Sequence, residues 1–111
     1  MNIKVFTCGG TFEKVYNPIS GELDFKDSCL PNIIKRSRIT AKVDFEKLFF
    51  KDSLDMNNED RLMIAHRIKT EPIKNIVLIH GTDTMVQTAQ TIKEHTSQDK
   101  VVVITGAMLP F

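Results

Sequence analysis

A chain of 111 residues holds one domain at most, and at that length it buries roughly 65% of the surface its unfolded form exposes, enough for a small core. Its 15 basic and 14 acidic residues nearly cancel, to a net charge of +1, and acids interrupt the lysines and arginines throughout, which excludes the footprint of a nucleic-acid binder. Only two cysteines (Cys8 and Cys29), no signal-peptide core after Met1 and no apolar run of membrane length point to a cytoplasmic protein with no membrane partner and no needed disulfide.

Ile3–Thr7 reads as a first strand that breaks at Cys8-Gly9-Gly10-Thr11, where two glycines permit a tight turn. Glu13–Phe25 reads as a polar excursion turning at Asn17-Pro18 and Gly21, a candidate lid over a site. Pro31 suits the start of a short helix from Asn32 to about Arg36. From Ile39 to Glu46 apolar and polar residues alternate, the period of a half-buried strand on the edge side of a sheet. Beyond the polar junction Lys51–Met56, Asn57 or Asn58 caps a helix with Glu59 and Asp60 at its positive end. Its inward face is either Leu62, Ala65 and Ile68 or Ile64 and Ile68, and Glu71-Pro72 ends it.

The run Ile76-Val77-Leu78-Ile79 has the continuous apolar character of a strand buried on both faces of a parallel sheet. It stops at His80-Gly81, and Thr84 with Gln87 has the spacing of a capping box for a helix to about His95, with Met85, Ala89 and Ile92 inward. Val101–Ile104 is another apolar strand. Strands alternating with helices predict an α/β domain of three layers with a mostly parallel, Rossmann- or flavodoxin-like sheet.

Thr11 and Thr82 each follow a glycine beyond an apolar strand, and if those strands are neighbours both hydroxyls face one crevice with Asp83 beside them. A threonine hydroxyl needs a base to become a nucleophile, while backbone N–H groups around Gly10 and Gly81 suit an oxyanion pocket. Asp83 is better suited to holding an ammonium group than to accepting a proton. Plainer readings fit the other candidates. Thr84 is accounted for as a helix cap, His80 as a hydrogen-bonded structural residue and Cys8 as a small buried one, and no His, Cys and carboxylate spacing suggests a metal.

These residues resemble a known family. Cys8-Gly9-Gly10-Thr11 is similar to the Thr-Gly-Gly-Thr signature of bacterial-type L-asparaginases, and His80-Gly81-Thr82-Asp83-Thr84-Met85 matches their second signature. Lys51–Met56 and Thr105-Gly106-Ala107-Met108, followed by Pro110, are also similar, so the resemblance covers essentially all 111 residues. It implies the fold of that family's N-terminal domain and hydrolysis of asparagine, with glutamine as a second amide, without a cofactor. It further implies Thr11 as primary nucleophile, Thr82 as second catalytic threonine, Asp83 as the anchor of the substrate amino group and Ser53 as that of its carboxylate. Tyr16 and Lys14 are candidate lid residues, although Tyr16 lies closer to Thr11 than the family's lid tyrosine does. Cys8 stands in place of the usual threonine, and Leu54 where the periplasmic type commonly has glutamine.

The family's lysine base falls in a segment beyond Phe111, as does the smaller C-terminal domain that completes a neighbouring subunit's site. Residues 1–111 are therefore expected to be an incomplete or short form of the N-terminal domain, in a homodimer or higher homo-oligomer. The competing readings are an inactive short homologue that binds an amino acid, and a fragment that needs a separate remainder.

Overall fold

A computed structural model of the protein describes residues 1–9, 14–16, 23–25, 35, 39–49 and 51–106. In chain order these form β1 (Asn2–Thr7), β2 (Lys14–Tyr16), β3 (Leu23–Phe25), β4 (Lys42–Lys47), a 3-10 turn (Ser53–Asp55), α1 (Asn58–Thr70), β5 (Asn75–Ile79), α2 (Met85–His95) and β6 (Val101–Thr105). β2 and β3, both within the polar excursion, pair antiparallel. The helix expected from Asn32 to Arg36 lies outside the described residues apart from Lys35, which is helical.

The other four strands form one sheet in the order β4-β1-β5-β6, parallel throughout, with β4 on the edge as expected. α1 carries the chain from β4 past β1 to β5, and α2 carries it from β5 to β6. Both crossovers move the same way across the sheet, and connections of one hand then place both helices on one face. Their apolar residues do meet there: Ile64, Ala65 and Ile68 of α1 and Ile92 of α2 join Phe6, Cys8, Met56, Ile76 and Leu78 in the main core. On the opposite face Val5 and Ile79 form a smaller cluster with Ile3, Val43 and Val77. The β5 run is thus apolar because both faces of that strand are covered, as its unbroken hydrophobicity requires.

α1 begins on a complete capping box: Asn57 Oδ1 accepts from the Asp60 amide at 2.9 Å, and the Asp60 carboxylate accepts from the Asn57 amide at 3.1 Å. Its inward face is the Ile64 and Ile68 alternative with Ala65 added, and Leu62 is exposed. β4 starts at Lys42, later than Ile39, and Phe45 on it is 38% exposed. In α2 the buried positions are Thr88 and Ile92, whereas Ala89 faces solvent, a correction explained by the partner of Thr88 below. An ionic cluster sits between β4, β1 and α1. Arg67 grips Glu46 with two hydrogen bonds of 2.8 and 2.9 Å and lies over the Phe6 ring, and Lys4 reaches both Glu46 and the buried Glu71.

Candidate active site at the carboxyl ends of the strands

The register aligns Thr7 with Lys47 and Ile79, and Ile79 with Thr105, so four parallel strands end together and their loops leave from one end of the sheet. The chain departs from β1 toward β4 on one side and from β5 toward β6 on the other. The boundary between β1 and β5 is therefore the topological switch point, where open α/β sheets take their ligands. Backbone hydrogen bonds bind these loops together: Cys8 N–H donates to the Ile79 carbonyl at 3.0 Å, Lys51 N–H to Cys8 at 3.1 Å and His80 N–H to Thr105 at 2.9 Å. Gly9 has φ 101°, the left-handed region that glycine tolerates, which accounts for the break after β1.

Ser53 is the centre of the junction. Its Oγ accepts from the Asp83 amide at 3.0 Å and the Thr84 amide at 3.3 Å, both at the positive start of α2. The Thr84 hydroxyl donates back to the Ser53 carbonyl at 2.9 Å. Gly81 is pressed against the same serine, since a Cβ there would stand 2.9 Å from both Ser53 N and Oγ. Gly106 packs more tightly still, with an added Cβ 2.2 Å from the His80 carbonyl oxygen.

The expected structural role of His80 agrees with its surroundings. It is fully buried, and because a carbonyl has no proton to give, Nδ1–H donates to the Gly81 carbonyl at 2.6 Å. The neutral ring then accepts at Nε2 from the Thr88 hydroxyl at 2.8 Å. Burial pushes the imidazole below its ordinary pKa; the Gly81 carbonyl opposes that shift and the Arg61 charge adds to it. Cys8 is likewise buried, its Sγ donating to the Ile79 carbonyl at 3.0 Å.

Of the residues singled out in the sequence, the fold gathers Ser53, Gly81, Thr82 and Asp83: Ser53 and Gly81 are buried, Thr82 is half-buried and Asp83 exposed. Gly10 and Thr11 lie outside the described residues, though they follow directly on Gly9 at the end of β1. Lys14 and Tyr16 belong to β2, whose backbone alone is described. Thr84 needs correction. It stands at the N-cap position with no side-chain capping bond, because its hydroxyl is given to Ser53 instead. Thr88 is polar and so falls outside an apolar pattern, and its burial against His80 is what turns α2 away from Ala89. Among the described residues there is no group of three or more His, Cys, Asp or Glu side chains able to hold a metal, and no helix is long and apolar enough to cross a membrane.

Comparison with known proteins gives one consistent result. The family model described as "Asparaginase, N-terminal" matches residues 2–111. L-asparaginase 1 of Escherichia coli is 32% identical over 117 residues, covering 98% of this chain and 34% of its own length. L-asparaginase 2 of Bacillus subtilis is 28% identical over 118 residues, covering 98% of this chain and 32% of its own. Among solved structures, the "Probable Cytoplasmic L-asparaginase" of Campylobacter jejuni superimposes with a TM-score of 0.81 at 31% identity, over 98% of this chain and 35% of that one. The chain thus spans about a third of the length of the relatives it matches.

Proposed function

The chain belongs to the asparaginase family, matching its N-terminal model, and from that premise we propose that it serves an amidohydrolase acting on asparagine or a similar small amide such as glutamine. The observation that supports this reading is the direct pairing of β1 with β5, with Cys8, three residues before Thr11 in the chain, hydrogen-bonded to Ile79, two residues before Gly81. In the proposed reaction the Thr11 hydroxyl oxygen attacks the amide carbon, and backbone N–H groups at Gly10 and Gly81 hold the developing oxyanion. The C–N bond breaks, and ammonia leaves with the proton lost by the threonine. Water then attacks the threonyl ester, releasing the acid and restoring the hydroxyl. Thr82 is the second catalytic threonine, Asp83 holds the substrate ammonium, Ser53 its carboxylate, and Tyr16 and Lys14 belong to the lid. A homodimer or higher oligomer, no cofactor and a cytoplasmic location complete the reading, the last supported by the likeness to the Campylobacter protein, described as a probable cytoplasmic L-asparaginase.

Residues 1–111 form, in this reading, an asparaginase N-terminal-like domain. Ammonia release from asparagine and glutamine tests the proposal. Wild-type protein is expected to release ammonia and Thr11→Ala to lose roughly 10³-fold or more of that rate. Equal rates in the two proteins sink the threonine mechanism. Aspartate binding without ammonia release favours an amino-acid-binding module, and activity restored by a separately supplied remainder favours a fragment.

A further inference from the structure

Thr84 has the sequence position of a helix cap and does something else. Its own amide and that of Asp83 donate to the Oγ of Ser53, some thirty residues earlier in the chain, and its hydroxyl gives one hydrogen bond to the Ser53 carbonyl rather than accepting from the first turn of α2. The contact is reciprocal: the helix start gives two N–H groups to the serine side chain and one O–H to the serine backbone. Without that third bond, the carbonyl keeps, among the described residues, the 3.3 Å bond from the Met56 amide that closes the 3-10 turn.

The arrangement determines where the serine proton points. A hydroxyl oxygen has one proton and two lone pairs. Both lone pairs of Ser53 accept N–H groups, so the O–H is confined to the remaining tetrahedral direction and has no acceptor among the described residues. Two N–H donors at the positive end of α2 also polarise the hydroxyl and strengthen it as a donor. The next side chain along the junction is the exposed carboxylate of Asp83. An oriented hydroxyl donor beside a carboxylate is complementary to a zwitterion, with a carboxylate for the first and an ammonium for the second.

We propose that Thr84 is a positioning residue for an α-amino acid: by holding the Ser53 carbonyl it aims the Ser53 hydroxyl at the ligand's α-carboxylate while Asp83 faces the α-ammonium. This rests on the amidohydrolase reading for the ligand class, and adds a residue that touches no ligand but sets the one that does. A cap acting only on stability needs the Ser53 Oγ bonds alone; the bond from Thr84 fixes the tilt of the turn that carries Ser53.

The test uses Thr84→Val, which keeps the shape and removes the O–H, and Thr84→Ser, which keeps the O–H. Binding of L-aspartate by calorimetry, KM and kcat for asparagine, and hydrogen exchange of the Asp83 and Thr84 amides are measured on each. Thr84→Val is expected to weaken aspartate and raise KM roughly five- to tenfold, with a smaller change in kcat and faster exchange of both amides. Thr84→Ser is expected to restore all three. Thr84→Val binding aspartate as well as wild type overturns the inference, as does a loss confined to melting temperature. A wild type that binds no aspartate overturns the functional reading instead, and is recognised because the wild-type protein itself then fails.

Discussion

A single methyl group at residue 81 has nowhere to go. The Cβ of an alanine there would sit 2.9 Å from the Ser53 amide nitrogen, a backbone atom held in a turn, so either the turn or the start of α2 must move. Gly81→Ala is expected to destabilise the protein by about 1–3 kcal/mol, measured by urea unfolding, and to abolish aspartate binding in whatever remains folded. Unchanged stability would show that the two loops are not pressed together. At this scale the sequence reading divides cleanly. Gly9 announced its turn, and Gly81 its junction, because a strand that ends in glycine has a local cause. The use of Thr84 was hidden because its partner lies in another loop: a threonine three residues before a glutamine looks like a cap, and nothing nearby in sequence reveals that its hydroxyl is given to the Ser53 carbonyl. Thr88 was hidden for a related reason, since a pattern of apolar residues passes over a polar one whose burial depends on a histidine from another element.

The elements themselves were legible where their signals are local. The β5 run and the Asn57 or Asn58 cap each specify an element within a few residues; the strand stands where expected, and of the two asparagines it is Asn57 that caps α1, with Asp60 completing a box. Asn57→Ala is expected to cost about 1 kcal/mol, read as a lower urea midpoint with an unchanged slope, since the Asp60 amide loses its acceptor at an exposed helix end. The far end of α1 is held differently. Lys100, just before β6, donates to the carbonyls of Ile68, Lys69 and Glu71, closing the helix with a cation from a distant segment. The expected start of β4 at Ile39 failed because alternation continues past the point where β1 offers a partner: Asn2 pairs with Lys42, and the register goes no further back.

For the molecule as a whole, three shifted groups act in one direction. Burial holds His80 below its ordinary value, the Arg67 hydrogen bonds do the same for Glu46, and at Asp60 the hydrogen bonds from Lys51 and the Asn57 amide outweigh the opposing effect of burial. A group whose folded pKa is depressed takes its proton first in the unfolded chain, so its stabilisation is present above the unfolded value and is lost as pH falls through the folded one. Stability is expected to decline in two stages on acidification, the first below about 6.5 from His80 and the second below about 4.5 from Glu46 with Asp60. Urea midpoints measured across this range check it: His80→Gln should flatten the first stage and Glu46→Gln part of the second. A midpoint independent of pH from 7 to 5.5 would contradict a buried neutral His80.

The sheet order also has a consequence in time. β1 leaves the ribosome before the other strands of its sheet, yet it lies inside that sheet, between a strand that begins at Lys42 and one that begins at Asn75. Phe6 and Val5 therefore wait, unsheathed, until β5 has been made, and the ring closed by the Cys8 contact to Ile79 spans 71 positions. Parallel pairing over such separations makes folding slow and leaves early intermediates with an apolar strand open on both sides. The segment that leads into the candidate site is thus the one with the longest exposure to chaperones and to misassociation during synthesis.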